Sequence, residues 1–182
     1  MFRTRFLKNP FVLLPLISGV LLPCIAFLIL HFSRHANSQS QLVLKDAVVI
    51  SGQSLPKTDL LELNGNNVSP DMLRRGKVLL VFWTTGCEAC QKELKLLSGV
   101  ESEVSDRVRI YGIAVEDRDR IMTFVQEQEI KTKILLDKDA KLMKSLSVRF
   151  FPTKFLVEDG MIVNTSFGNS LDQAALLKEL GL

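Results

Sequence analysis

The heptapeptide KVLLVFW, from Lys77 to Trp83, restricts the possible folds of this chain more than any other segment. A continuous apolar run of this length is typical of a central strand that is buried on both faces. The run stops at TTG, residues 84–86, and a helical pattern follows from Cys87, with Leu94 and Leu97 on one side. A strand that passes through a short turn into a helix predicts an α/β fold.

Hydrophobic periodicity predicts further elements of both kinds. We expect strands in VRIYGIAV, KILLD, TKFLVE and MIVNTSF, and helices in RDRIMTFVQEQEI, around residues 139–146 and in LDQAALLKEL. The segment TDLLELNGNNVSP suits a hairpin that leads into a brief helix, and Asp159-Gly160 is a second hairpin signal. Because strands alternating with helices indicate parallel βαβ units and the last hairpin adds antiparallel pairing, we predict a central mixed β-sheet flanked by helices.

The N-terminal part of the chain has a different character. Residues 11–30 carry no charged side chain, and twenty residues of helix span roughly the 30 Å hydrocarbon core of a bilayer. Arg3, Arg5 and Lys8 precede this segment, so the positive-inside rule keeps the N-terminus in the cytoplasm and places the rest outside. We predict a membrane anchor at 1–35 with its span at about 10–30, a linker at 36–48 and one domain at 49–182.

A cleaved signal peptide is the competing interpretation of the apolar segment. The run is longer than the usual ~7–15 residues, and no Ala-x-Ala-like site clearly follows it.

The distribution of charge bears on possible nucleic-acid partners. Four of the 23 Lys and Arg residues lie within residues 1–40, which contain no acid, so the remainder carries 19 basic and 20 acidic side chains. This near-neutral balance gives no indication of a nucleic-acid partner.

Cys87 and Cys90 are the only cysteines after the predicted span. They suit a redox couple, half of a metal site, or two small core residues. Structural zinc normally needs four ligands, and the chain has no second cysteine pair and no histidine after His35. Inert core cysteines are not typical of a strand-to-helix turn. The pattern therefore favours a redox couple and predicts no metal site.

The two cysteines are not equivalent in this pattern. A thiolate, not a thiol, attacks a disulfide, and an ordinary cysteine is only slightly ionised at neutral pH. Cys87 lies at the predicted start of a helix, where unpaired N–H groups and the helix dipole stabilise negative charge. Cys90 lies one turn further in and is less open to solvent. We expect Cys87 to attack and Cys90 to resolve the mixed disulfide.

Two segments resemble a known fold. FWTTGCEAC after a buried strand, with RFFPTKFLVEDG some sixty residues later, resembles the thioredoxin fold. The apolar anchor, CEAC and the following QKE resemble the extracytoplasmic ResA/TlpA-type thiol-disulfide oxidoreductases, which include the reductants of cytochrome c maturation. The resemblance covers roughly residues 50–180 and implies a thioredoxin-like three-layer fold, with helices on both sides of the central sheet.

The resemblance also implies roles around the cysteines. Pro152 would be a cis-proline that faces the disulfide and leaves the carbonyl before Thr153 and its neighbouring backbone free to pair with an extended substrate. Phe151 would form an apolar wall there, although a core aromatic is the alternative. We also assign Trp83, which ends the preceding strand, to the substrate surface.

Two acids near the cysteines are assigned by the same resemblance. Glu93, three residues after Cys90, matches a buried glutamate that influences the cysteines and moves protons for the second thiol. The alternative is a solvated helix glutamate. Glu88 matches an acidic position between the cysteines and is expected to contact partners.

The sequence departs from the family pattern at three positions, Val81, Gly86 and Ala89. Ala89 replaces the usual proline and Gly86 the usual tryptophan, while Val81 stands where cytoplasmic thioredoxin has a buried aspartate. The first two departures affect the redox potential and the substrate surface, and the third directs attention to Glu93.

Together these features predict a membrane-tethered thiol-disulfide oxidoreductase in the inner membrane of a bacterium, with its catalytic domain on the periplasmic side. It would reduce protein disulfides, with apocytochrome c as the substrate class that the resemblance suggests. A transmembrane thiol donor would reset the pair, and no cofactor beyond the Cys87–Cys90 disulfide is expected.

Parts of the sequence also suit two other functions. Thr84-x-x-Cys87 has the threonine spacing of peroxiredoxin sites, but Leu80 occupies the place of their usual proline. A tethered copper-binding assembly module is the other alternative. Its relatives use a wider cysteine spacing and a distal histidine, and the predicted domain has neither.

Overall fold

The structure, a computed structural model, describes Phe27 and residues 51–182. Residues 51–182 belong to the compact unit Val49–Leu182. Apart from Phe27, the predicted anchor at 1–35 and linker at 36–48 lie outside the described residues, so both stay predictions. No described helix has both the length and the apolar character needed to span a bilayer.

Residues 51–182 form a seven-stranded mixed sheet. Its strands are β1 (Leu60–Glu62), β2 (Asn67–Val68), β3 (Lys77–Trp83), β4 (Arg109–Ala114), β5 (Lys133–Leu136), β6 (Thr153–Glu158) and β7 (Met161–Phe167). Their order across the sheet is β2-β1-β5-β4-β3-β6-β7. Strands β3, β4 and β5 run parallel, while the other neighbouring pairs are antiparallel. The apolar heptapeptide is thus an interior strand, and the predicted mixed sheet is confirmed.

Helices connect the strands within the same described range. They are α1 (Glu88–Val104), α2 (Arg118–Glu127), α3 (Lys141–Ser145) and α4 (Gln173–Glu179), with 3₁₀ helices at Pro70–Leu73 and Lys138–Ala140. Two of them have an aspartate as the N-cap residue. Asp117 accepts the N–H of Asp119 at the start of α2, and Asp172 accepts the N–H of Ala175 at the start of α4. Such caps satisfy N–H groups that have no partner inside the helix.

The helix predicted around residues 139–146 is shorter than expected. Asp139 and Ala140 have φ angles of 62° and 53°, which a right-handed helix does not accommodate, so α3 begins only at Lys141. The Asp137 carboxylate accepts the N–H groups of Leu142 and Met143, at 3.0 and 2.8 Å. A single side chain therefore caps this helix from outside its own first turn.

Both predicted hairpins are present. In the first, Leu60 of β1 lies opposite Val68 of β2. In the second, Asp159 and Gly160 connect β6 to β7 with φ angles of 46° and 83°. Positive φ at both turn residues suits the twist of a two-residue hairpin, which explains the Asp-Gly pair.

The apolar side chains divide between the two faces of the sheet. Alternate residues of β3 enter different clusters, with Leu79, Val81 and Trp83 on one face and Val78, Leu80 and Phe82 on the other. Helices α1, α2 and α4 contribute to the first cluster, and α3 and the 3₁₀ helix at Pro70–Leu73 to the second. The sheet is therefore covered by helices on both faces, as predicted.

The outer edge of β7 is partly covered by the chain that precedes β1. The Gly52 N–H donates to the Ile162 carbonyl at 2.8 Å, and the Ile162 N–H donates to the Gln53 carbonyl at 2.8 Å. Ser54 forms an isolated bridge with Met161. Residues 52–54 thus act as a short additional partner for the first half of this edge strand.

Candidate active site

The cysteine pair lies where β3 ends and α1 begins. Cys87 is the N-cap residue of α1, and its sulfur accepts the N–H of Cys90 at 3.1 Å. The two cysteines form a disulfide, with their Cα atoms 5.2 Å apart. Cys87 is half-buried, whereas Cys90 is fully buried. This asymmetry matches the predicted order, in which the accessible sulfur meets the substrate first.

The start of α1 is suited to hold a thiolate at Cys87 once the disulfide is reduced. The N–H group that now points at the Cys87 sulfur belongs to the first turn of the helix. The positive end of the helix dipole lies at the same place, and both interactions favour the anionic form of sulfur. The reduced pair would therefore carry its negative charge mainly on the accessible sulfur.

A cis peptide bond joins Phe151 and Pro152 beside the disulfide. The Phe151 carbonyl oxygen lies 3.7 Å from the Cys87 sulfur, so the segment before β6 faces the accessible cysteine. Within the part of the chain that the structure describes, this contact is the only polar contact of the Phe151 backbone. Phe151 itself is half-buried and packs against both apolar clusters, which combines the two roles considered for it.

The expectation for Thr153 needs correction. The carbonyl before it, that of Pro152, already accepts the N–H of Gly168 at 2.9 Å. The Thr153 side chain is buried, and its hydroxyl donates to the Phe150 carbonyl at 2.7 Å. Both groups hold the strand in place and are not open to a substrate. The backbone available for pairing is that of Phe151, one residue earlier.

Trp83 also differs from its predicted role. Its side chain is fully buried and packs against the ring of Phe124, with centroids 5.3 Å apart. Gly112 lies beneath it, and a Cβ at that position would come within 2.9 Å of the Trp83 Nε1 atom. The indole is therefore a core residue in the same cluster as Cys90, not part of the substrate surface.

Glu93 is buried, as the resemblance implied, and it is held by a buried lysine. Its Oε1 atom accepts the Lys154 ammonium at 2.9 Å, and its Oε2 atom accepts the Ser170 N–H at 2.6 Å. The side chains of Glu93 and Lys154 are 0% and 1% exposed. Removing one partner of a buried ion pair leaves an uncompensated charge and costs about 3–5 kcal/mol. The alternative of a solvated helix glutamate is thus excluded.

The Lys154 ammonium has further partners. It donates to the Ser170 hydroxyl at 2.8 Å and to the Glu179 carboxylate at 2.7 Å. Glu179 lies on α4, and its side chain is 29% exposed. Three N–H donors of the ammonium therefore meet three oxygen acceptors, which leaves no polar hydrogen of this lysine unsatisfied.

A second polar cluster fixes the turn before Cys87. The Thr85 N–H and hydroxyl donate to the two carboxylate oxygens of Glu116, at 2.6 and 2.8 Å. Arg120 donates to the Thr85 hydroxyl at 2.8 Å, and Gln91 donates to the Thr85 carbonyl at 3.0 Å. The turn that presents Cys87 is consequently anchored to β4–α2 residues and to α1.

Glu88 lies on the surface, as predicted. Its side chain is 81% exposed and pairs with Lys92 at 2.7 Å, one turn along α1. The hydrogen bond from Lys92, followed by the positive charge of that residue, lowers the pKa of Glu88. Because Lys92 offsets the negative charge, Glu88 opposes a thiolate at Cys87 less than an isolated acid would.

The match to known protein families agrees with this geometry. A sequence model of the AhpC/TSA family matches residues 51–166, more than half of the chain. The chain belongs to the AhpC/TSA family. The matched region begins before β1 and ends within β7, so it contains both cysteines and the cis-proline segment.

Two relatives of this AhpC/TSA domain carry thiol-disulfide exchange in their names, and a solved structure shares its fold. The thiol-disulfide oxidoreductase ResA of Bacillus cereus is 27% identical over 120 residues, which cover 64% of this chain and 69% of ResA. The thiol:disulfide interchange protein DsbE of Escherichia coli is 27% identical over 179 residues, which cover 96% of this chain and 93% of DsbE. The crystal structure of StoA from Bacillus subtilis is 24% identical, with a TM-score of 0.60 over 70% of this chain and 98% of StoA.

The StoA likeness supports the thioredoxin-like fold, with its central mixed sheet and flanking helices. The named relatives and the Cys87–Cys90 disulfide at the start of α1 together establish the enzyme class. This AhpC/TSA domain is a thiol-disulfide oxidoreductase of the ResA/DsbE type. Among the described residues, no group of three or more His, Cys, Asp or Glu side chains is arranged to hold a metal ion.

Several residues around the site escaped the sequence analysis. The sequence assigns Lys154 only to a strand, although alternate residues of TKFLVE share a face, so position 154 lies on the same side as Leu156. An inward lysine and an inward Glu93 could have been paired on that signal. Ser170 and Glu116 lie in loops far along the chain and carry no comparable signal.

Proposed function

We propose that this enzyme is tethered to a bacterial inner membrane and reduces disulfides of proteins on the periplasmic side. The observation that supports it best is the position of the Cys87 sulfur, half-buried at the start of α1 and 3.7 Å from the Phe151 carbonyl. An extended segment paired with the Phe151 backbone would bring its own sulfur alongside Cys87.

The reaction proceeds in two exchanges. The Cys87 thiolate attacks one sulfur of the substrate disulfide, that disulfide breaks, and the second substrate sulfur leaves as a thiolate that takes up a proton. The Cys90 thiol then loses its proton and attacks the Cys87 sulfur. The Cys87–Cys90 disulfide forms, the mixed disulfide breaks, and the substrate departs with two thiols. Two electrons have moved from the cysteine pair to the substrate, so no cofactor is required.

The location rests on the N-terminal sequence. Residues 11–30 carry no charge, and Arg3, Arg5 and Lys8 precede them, a pattern typical of a signal anchor that holds the following domain outside the cytoplasm. An oxidising space outside the cytoplasm does not supply reduced thiols. A transmembrane thiol donor would therefore return the pair to its reduced form.

Apocytochrome c is the substrate class that we propose, on the resemblance to the reductants of cytochrome c maturation. Glu88 is exposed and follows Cys87 in sequence, while the half-buried Phe151 lies beside the Cys87 sulfur in space. Both residues would contribute to substrate choice. Loss of the gene should then reduce haem attachment to c-type cytochromes, and an added small thiol should restore it. Unchanged haem attachment would contradict this substrate.

A covalent trap tests the reaction itself. With the full-length Cys90→Ser variant, the mixed disulfide at Cys87 cannot be resolved, so substrate proteins should accumulate as adducts that dithiothreitol releases. The Cys87→Ser variant is the matched control and should trap nothing. Equal trapping by both variants would contradict the assigned order of attack.

The direction of electron flow needs a separate measurement. An equilibrium titration of the full-length chain against dithiothreitol or glutathione buffers should give a potential near or below about −250 mV for a reductant, and one near about −120 mV for an oxidant.

Peroxide reduction is the second candidate, because the AhpC/TSA match and the Thr84-x-x-Cys87 spacing both favour a test of it. The rate at which the reduced chain consumes hydrogen peroxide, at a known concentration of its thiols, distinguishes peroxide reduction from disulfide reduction. We expect slow turnover, since Cys87 pairs with a neighbouring cysteine that resolves mixed disulfides.

A further inference from the structure

Glu93, Lys154, Ser170 and Glu179 form a polar group that is buried beneath the sheet surface and reaches solvent at Glu179. Glu93 lies on α1, three residues after Cys90, and residues at this spacing share one face of a helix. Lys154 lies on β6, two residues after the cis-proline Pro152. Glu179, on α4, is the member that reaches the surface.

Strand register explains why the lysine lies on the same side of the sheet as Cys90. Lys154 lies opposite Val81 on the antiparallel strands β6 and β3. Val81 and Leu156 both belong to the apolar cluster that contains Cys90. Since alternate residues of a strand share a face, Lys154 points to the same side of the sheet as these residues. Val81 itself carries no charge, whereas Lys154, which lies opposite it on β6, carries a buried positive charge.

The charge balance of this group is unusual for a protein interior. One ammonium contacts two carboxylates, those of Glu93 and Glu179, at 2.9 and 2.7 Å. The charged groups in contact are only these three among the described residues, and Cys90 is the titratable group one turn earlier on α1. With all three ionised, the group carries one net negative charge, so it can accept one proton and become neutral.

Glu179 lowers the electrostatic cost of protonating Glu93, because it is a second counter-ion for Lys154. If Glu93 were the only partner of Lys154, its protonation would leave an unpaired ammonium in the interior, which is strongly unfavourable. Because Lys154 also pairs with Glu179, it remains compensated when Glu93 is neutral. The Ser170 hydroxyl lies within 3.1 Å of Glu93 and 3.3 Å of Glu179, and a hydroxyl can both donate and accept.

We propose that Lys154, Ser170 and Glu179 form a proton route between solvent and Glu93, and that this route serves the deprotonation of Cys90. The inference rests on the proposed function, because it concerns the second exchange of that reaction. Cys90 gives its proton to the Glu93 carboxylate as its sulfur attacks Cys87. The proton then passes through the Ser170 hydroxyl to Glu179 and to water. Lys154 is a positioning residue, since it holds both carboxylates and touches neither sulfur.

The two exchanges can be timed separately with the aromatic disulfide dithiobis-nitrobenzoate and the full-length reduced chain carrying Cys24→Ser, in which Cys87 and Cys90 are the only thiols. Attack by Cys87 releases the first coloured thiolate, and attack by Cys90 releases the second. We expect Lys154→Met to slow the second release by about 10- to 100-fold at neutral pH, which is less than the full contribution of a positioned acid-base group because Lys154 acts only through Glu93. The first release should change less than about twofold, because Cys87 does not depend on this route.

The pH profile separates a proton route from a merely structural effect. In the parent chain the second release should rise with pH along one ionisation. In Lys154→Met the rise should move to higher pH, because a buried carboxylate without a counter-ion holds a proton that it would otherwise release. Lys154→Arg keeps the charge and should restore much of the rate. Lys178→Met removes the same charge from an exposed position on α4 and serves as the control.

Glu179→Gln tests the proton route even where Lys154→Met does not fold, because a substitution at the partly exposed position 179 is easier to accommodate. It should slow the second release and leave the first unchanged. Wild-type rates and pH profiles for the second release in Glu179→Gln, and in Lys154→Met where it folds, would overturn the proton route. Absence of both releases in the parent chain would instead contradict the proposed function.

Discussion

The backbone N–H of Thr85 lies 2.6 Å from a carboxylate oxygen of Glu116, and the Thr85 hydroxyl lies 2.8 Å from the other oxygen. Glu116 follows β4, whereas Thr85 belongs to the turn that presents Cys87. One side chain from the loop after the neighbouring parallel strand therefore holds the backbone of the reactive turn in place. Hydrogen bonds to a charged group are stronger than neutral ones and contribute about 1.5–3 kcal/mol.

Replacing Glu116 should loosen this turn. We expect Glu116→Gln to lower the free energy of unfolding by about 1–3 kcal/mol, because one oxygen becomes an amide donor that cannot accept from Thr85. Attack by Cys87 on dithiobis-nitrobenzoate should slow in parallel. Urea unfolding and the first release of coloured thiolate measure the two effects. Glu127→Gln, at an exposed position on α2, is the control and should leave both unchanged.

The contact between α1 and the sheet should dominate stability. Leu94 is fully buried in the cluster that contains Cys90, so Leu94→Ala should cost about 2–5 kcal/mol through lost burial and the cavity left behind. Leu171 is 92% exposed, and Leu171→Ala should change stability by less than about 0.5 kcal/mol. Equal losses for the two variants would contradict the assigned core.

Two glycines should respond oppositely to alanine. At Gly112 a Cβ would lie 2.5 Å from the Ile134 Cδ1 atom and 2.9 Å from the Trp83 Nε1 atom, so Gly112→Ala should destabilise by about 1–3 kcal/mol. Gly99 lies within α1 with open space around it, and Gly99→Ala should stabilise by about 0.5–1 kcal/mol. Trp83 is the only tryptophan of the chain, so its fluorescence follows unfolding in both variants.

Glu101 should make stability depend on pH. Burial raises the pKa of this α1 carboxyl, and the hydrogen bond with Thr132 only partly opposes the rise. The folded chain thus holds the proton more strongly than the unfolded chain, so stability falls as pH rises from the unfolded pKa through the raised folded pKa. Glu101→Gln should be as stable as the parent in acid and more stable at neutral pH.

Parallel unfolding titrations at several pH values measure this difference. Glu103→Gln, at an exposed position on the same helix, is the matched control and should follow the parent chain at every pH. A Glu101→Gln curve with the parent's pH dependence would show that this carboxyl does not contribute it.

Local patterns were sufficient for much of the domain. The heptapeptide at β3 and the helical spacing after Cys87 follow directly from hydrophobic periodicity, and the Asp159-Gly160 turn follows from its need for positive φ. The burial of Glu93 came from resemblance, since a glutamate on a helix face is usually solvated. Local rules succeed where the neighbours in sequence are also the partners in space.

The remainder depends on partners that are distant in sequence. Lys154 is buried only because Glu93, 61 positions away, and Glu179 compensate its charge. The Pro152 carbonyl is unavailable because Gly168 donates to it. Trp83 ends its strand, where a substrate surface is expected, yet its indole packs over Gly112 and lies in the core. None of these arrangements can be obtained from a short window of residues.

The bridge between residues 52–54 and β7 has a consequence for behaviour at high concentration. An uncovered edge strand offers its peptide groups to strands of other molecules, which is a common start of aggregation. Here the backbone N–H and carbonyl of Ile162 are already hydrogen-bonded to Gln53 and Gly52, so they are not available to a strand of another molecule. Residues 52–54 therefore protect this half of the β7 edge from pairing with other molecules. A substitution such as Gly52→Pro, which removes the donating N–H, should make the protein more prone to form intermolecular β-structure.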